Sequence, residues 1–216
     1  MSILSAGTTN STALNLTADT SGSLILASNN NVTAVTIATN QNVTFANNAT
    51  FPTTIGVGGA TPSASGSGIS FPASQSASSD ANTLDDYEEG SWSPTVGGNA
   101  TYNAQEGLYI KIGQLVFIFF DIGINILGTG STTTISGVPF TAGNIPNQSS
   151  AWTLNPHYFA NIANGITWLS AYVPENATTI LFVGNSTSAT TVQMNGGVVF
   201  ANGARIVGSG TYRASA

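Results

Sequence analysis

Residues 108–124, LYIKIGQLVFIFFDIGI, constrain the fold more than any other stretch of this chain. β-Branched and aromatic residues fill both arms, and Gly113-Gln114 sits between them as the turn of a hairpin. Successive side chains of a strand point to opposite faces. In the second arm Val116, Ile118, Phe120 and Ile122 therefore share one face, and Leu115, Phe117 and Phe119 share the other. Both faces are apolar. That predicts a central strand covered on both sides, with an interface between chains as the second cover.

The rest of the C-terminal part reads the same way. SWSPTV, TTTISGVPF, GITWLSAYVP, TTILFVG, TVQMN and ARIVGSGTYRA are short strand candidates separated by turn residues. No segment carries a sustained apolar pattern at helical spacing. The expected fold is all-β: a C-terminal β-sandwich, jelly-roll-like, preceded by short strand repeats and an extended arm.

The N-terminal repeat is weak but visible. TALNL (12–16) returns as TAVTI (33–37), and SLILASNN (23–30) returns as NVTFANNA (42–49). Leu14 and Leu16 share a face, as do Val35 and Ile37, then Val43 and Phe45. Two such units cannot build a core alone and must be buried by something else. Residues 56–79 are Gly, Ser, Ala and Pro with little else, which reads as an arm, and GISFP within it suggests one short strand. The expected divisions are 1–55 as an attachment region, 56–89 as arm and acidic hinge, and 90–216 as the sandwich.

Charge excludes several function classes. Charged residues make up 6% of the 216, against about 25% in ordinary soluble proteins. Lys111, Arg205 and Arg213 are the only Lys and Arg residues, too few and too scattered to displace counterions from a nucleic acid or to hold a basic helix on a membrane. There is no Cys, which removes disulfides, thiolate metal sites and Cys nucleophiles. MSILSAGTTN lacks a basic start and a long apolar core, so the reading is a protein made in the cytosol without Sec export. The longest apolar run, 115–127, is broken by Asp121 and is too short to span a bilayer as a helix.

Five of the nine acids fall within residues 80–89: Asp80, Asp85, Asp86, Glu88 and Glu89. Paired carboxylates can hydrolyse glycosides, but they must flank a sugar in a cleft, and neighbours such as Asp85 and Asp86 point apart in an extended chain. The run lacks the ligand spacing of a calcium loop. Thr83 or Asp85 can cap a short helical turn that Gly90 ends. The reading is a structural hinge, with Asp85, Asp86, Glu88 and Glu89 as candidates for a cation or an inter-subunit salt bridge with Lys111 or an Arg.

His157 is the only histidine, no G-x-S-x-G elbow occurs, and one His without Cys does not make a zinc site. The Gly-rich 56–68 segment lacks the phosphate-loop pattern. No enzyme, cofactor or metal is expected. The aromatic group Trp152, His157, Tyr158, Phe159, Trp168 and Tyr172 has two readings. Such rings fill cores, and exposed rings beside Asn stack on sugars. Trp152, Tyr158, Trp168 and Tyr172 are the candidates for a glycan or receptor contact, with Trp152 and Tyr158 placed in a loop.

SGSGISFPASQSASSDANTLDDYEEGSWSPTVGG, followed by YIKIGQLVFIFFDI, TTTISGVPF and the C-terminal ARIVGSGTYRASA, resembles a segment recurrent in structural proteins of tailed bacteriophages. The N-terminal SGSLILAS…AVTIATNQNVTFANN resembles the repeat that precedes it in phage fibres. The resemblance implies a homotrimeric component of the virion surface, assembled in the host cytoplasm, with the major capsid protein or other virion proteins as partners and host polysaccharide as an accessory one. No extended shaft is read between residues 50 and 90. The chain therefore suits a capsid cement or decoration protein, with a short tail fibre or tailspike tip as the alternative.

Overall fold

The computed structural model describes residues 22–27, 33–51, 53–75, 78–80, 82–144, 153–162, 166–186, 191–193 and 199–215. All regular structure among them is β, as the sequence predicts. The chain divides into two compact units, Met1–Ile55 with Ala64–Gly68, and Gly56–Ser63 with Ile69–Ala216. The acidic run belongs to the second.

In the first unit β1 (Leu24–Ala27), β2 (Thr33–Ile37) and β3 (Val43–Phe45) form an antiparallel sheet in that order. Its register places Leu24 beside Ile37 and Ile37 beside Val43, then Leu26 beside Val35 and Val35 beside Phe45. Six apolar residues thus share one face, yet none is buried. The first copy of the repeat, residues 12–16, lies outside the described residues. Next along the chain, β4 (Thr54–Gly56) pairs with β5 (Gly68–Ser70), the short strand expected within GISFP.

The second unit is built on one nine-stranded sheet. Its strands are β6 (Tyr87–Trp92), β7 (Thr101–Ile112), β8 (Leu115–Ile126), β9 (Thr134–Ser136), β10 (Thr153–Ala160), β11 (Ile166–Tyr172), β12 (Thr179–Ser186), β13 (Thr191–Gln193) and β14 (Arg205–Arg213). The spatial order is β13-β12-β11-β10-β14-β8-β7-β6, with β9 also on β12. The C-terminal strand is therefore inserted between β10 and β8, antiparallel to both. The sheet curls until its ends meet, because Ser136 of β9 bridges Thr95, just beyond β6. The facing layers around the core are thus parts of one sheet.

The hairpin forms as read. Ile112 opposes Leu115, and Gly113 takes φ +55° at the first turn position, where a two-residue hairpin of type II′ needs a glycine. On the inner face of β8, Val116, Ile118, Phe120, Ile122 and Ile124 are wholly buried against Leu154, Ile180, Phe182, Ile206 and Tyr212. Each such side chain contributes about 1.5–3 kcal/mol. Glycines make room for the core's large rings. Trp92 and Phe120 flank Gly107 on neighbouring strands, and Phe120 also faces Gly208. A Cβ at Gly107 would stand 2.5 Å from Trp92 Nε1, and one at Gly208 2.5 Å from Phe120 Cζ. The Trp92 indole N–H donates to the carbonyls of Leu108 and Phe119 at 3.3 and 3.2 Å. The Tyr212 hydroxyl donates to the Phe140 carbonyl at 3.0 Å and accepts from the Phe140 N–H at 3.2 Å, tying the loop after β9 to the last strand.

Two local expectations are corrected. Residues 87–92 are strand, not part of a helical turn: pairing with β7 from Tyr87–Ile112 to Trp92–Gly107 outweighs the capping signals. Residues 153–160 are strand β10, not a loop. Its register slips between Pro156 and Tyr158, and a bulge there accommodates Pro156 within the strand. As expected, β8 is central, and within one chain its second face, with Leu115 and Phe117, stays open.

Candidate functional site

Among the described residues, the outer face of β6, β7, β8 and β14 is left open. Pairing across these strands sets its rows. Tyr87, Ile112, Leu115 and Arg213 form one, Glu89, Ile110, Phe117 and Thr211 the next, and Ser91, Leu108, Phe119 and Ser209 a third. Tyr87, Leu108, Ile110, Ile112, Leu115 and Phe117 are each between 40% and 57% exposed. At about 200 Å² for a large side chain, they present about 500 Å² of continuous apolar surface, near the top of the range for a monomer. A shallow groove runs through the patch between Glu89, Leu108, Ile110, Phe117 and Phe119.

Charges sit at its margins. On the β6 side Glu89 accepts a hydrogen bond from the Tyr87 hydroxyl at 3.0 Å, which raises the Tyr87 pKa. On the β14 side Arg213 donates to Gln114 Oε1 at 2.8 and 2.5 Å. Further along β8, Asp121, which looked anomalous inside an apolar run, receives Arg205 in a two-point pair at 2.9 and 2.6 Å. That pair raises the Arg205 pKa.

The acidic run does not converge on one point. Asp80 accepts from the Asn82 N–H at 2.9 Å and organises its own turn. Asp85 accepts from the Ser78 N–H at 2.8 Å and from Gln75 at 3.4 Å. The Ser78 bond is the main reason its carboxyl titrates below the usual range. Asp86 is buried with Lys111 in an ion pair, and the ammonium also reaches Gln75 Oε1 at 3.4 Å and lies 5.4 Å from the centre of the Phe140 ring. Glu88 accepts from the Tyr109 hydroxyl at 2.5 Å, and with partial burial this pushes the Tyr109 pKa up to about 12. Glu89 points to the outer face. The inter-subunit salt bridge expected of Asp86 is therefore an ion pair within one chain. The chain crosses into the sheet here, and alternate side chains find partners on opposite sides of β6. Among the described residues no three acids or histidines cluster as a metal site.

The aromatic candidates divide. Trp152 lies outside the described residues. Tyr158 and Trp168 are each 49% exposed, on neighbouring strands β10 and β11. Tyr158 lies beside Val207, which pairs in turn with Asp121, so Tyr158 borders the Asp121–Arg205 pair. Tyr172 is half-buried, paired with Thr153 and Leu181. His157 is exposed at the bulge, and Phe159 pairs with core residue Ile206. The sequence reading missed the β7 half of the apolar patch. Its signal was present in LYIKI, where Leu108, Ile110 and Ile112 alternate with Tyr109 and Lys111.

Comparison with protein-family profiles, curated proteins and solved structures finds no match to this chain.

Proposed function

We propose that this chain is a structural protein of a tailed-phage virion surface, a homotrimeric cement or decoration protein that clamps neighbouring shell subunits. The observation that carries the reading is the pair of uncovered apolar sheet faces, one in each unit, in a chain only 6% of whose residues are charged. A protein meant to stay monomeric keeps such faces covered or charged. The larger patch is worth about 12 kcal/mol gross at about 25 cal/mol per Å². Association costs about 4–15 kcal/mol, so the polar margins must fit as well. The resemblance of residues 65–98, 109–122, 132–140 and 204–216 to segments of phage surface proteins supports the same reading. Binding only the assembled shell stabilises it by mass action. The test is reconstitution. Purified chain is added to particles that lack it, and genome release on heating is followed. A raised release temperature with saturable uptake supports clamping, while no uptake by the shell refutes it.

A second reading, a short fibre or spike tip that binds host glycan, is favoured by the exposed rings of Tyr158 and Trp168 beside polar neighbours. Retention of the chain on purified host polysaccharide, lost in Tyr158→Ala with Trp168→Ala, would select it.

A further inference from the structure

We infer that the outer face of β6, β7, β8 and β14 is a self-association surface, and that its occupant is the same face of a second copy, with the β6 margin of one chain against the β14 margin of the next. This rests on the assembly reading above and assigns the surface that performs it.

The argument is charge complementarity around an apolar strip. Among the described residues Lys111 is paired with Asp86 and Arg205 with Asp121, whereas Arg213 has only the neutral Gln114. Arg213 borders the patch beside Leu115. Glu89, held only by the Tyr87 hydroxyl, borders it on the other side beside Ile110. Three strand spacings and two residues separate them, about 16 Å, too far to pair within a chain. A partner must therefore offer a cation opposite Glu89, an acid opposite Arg213 and apolar side chains between them. This chain's own face offers that set. Three faces turned toward a common axis place each β6 margin next to a β14 margin and bring Leu108, Ile110 and Phe117 into the centre. The apolar area of about 500 Å² matches the centre of a standard interface, which covers about 800 Å² per partner.

The test uses the full chain in analytical ultracentrifugation, with far-UV circular dichroism as the check of folding. Wild type should sediment as an oligomer. Phe117→Asp, at a site 42% exposed in the chain, should weaken assembly by about 30-fold or more and leave the fold intact. Glu89→Arg and Arg213→Glu should each weaken it, and the two together should restore it. That recovery keeps the test decisive should Phe117→Asp not fold. A wild-type chain that stays monomeric at high micromolar concentration overturns the inference. So does an oligomer whose mass ignores all three substitutions. Oligomers that respond as expected yet never bind particles support this face and refute the virion reading alone.

Discussion

Replacing Asp86 tests how the acidic run is used. Asp86 and Lys111 are 5% and 4% exposed, and they neutralise each other with Gln75 and Phe140 as the ammonium's other neighbours. Asp86→Asn keeps the shape and removes the charge, leaving a buried ammonium uncompensated. Breaking such a pair costs about 3–5 kcal/mol, a large share of a total of about 5–15 kcal/mol. For a unit of this size that lowers the melting temperature by about 6–20 °C. Asp86→Leu with Lys111→Met removes both charges and should recover most of the loss. Asp85→Asn, one residue away, should cost much less, because Asp85 is only half-buried, leaves no charge unpaired when neutralised, and an amide oxygen there can still accept from the Ser78 N–H. The assays are thermal and urea unfolding followed by intrinsic tryptophan fluorescence, to which Trp92 in the core contributes. An Asp86→Asn transition no lower than that of Asp85→Asn would refute the reasoning, since the acids would then act as one solvated cluster.

Other perturbations test separate parts of the fold. Gly208→Ala puts a Cβ 2.5 Å from Phe120 Cζ and should destabilise by about 1–3 kcal/mol in the same urea assay. Tyr109 titrates near 12 when folded, against about 10 unfolded. The folded state therefore holds more protons between those values, and stability should fall as pH rises from about 10 to about 12; Tyr109→Phe should flatten that part of the alkaline unfolding curve and remove one ionisation step near 12 from the ultraviolet titration. Tyr158→Ala with Trp168→Ala should leave the sedimenting mass unchanged, because both rings lie off the apolar patch.

The hairpin, the all-β class and most strands were legible because alternation and turn residues agree locally. Val116 to Ile122 form the core face, and Gly113 makes the turn. The strand at 153–160 was hidden by Pro156, whose cost is relieved by a bulge that depends on β14, some fifty residues later. The fate of the acids was hidden for a similar reason. Asp86 and Glu88 face inward only because β7 lays Lys111 and Tyr109 beside them. Sequence spacing shows which acids share a face, but not what the opposite strand brings to it. The order of strands was equally non-local, since nothing near residue 205 announces insertion between β10 and β8. The apolar excess on both faces of β8 was legible, and within one chain only half of it is covered.

The most direct test of the proposed role is the copy number of this chain in purified particles, measured by gel densitometry against the major shell protein. A ratio near one copy per shell subunit is expected of a cement protein. A few dozen copies or fewer per particle would contradict it and move the chain to the tail.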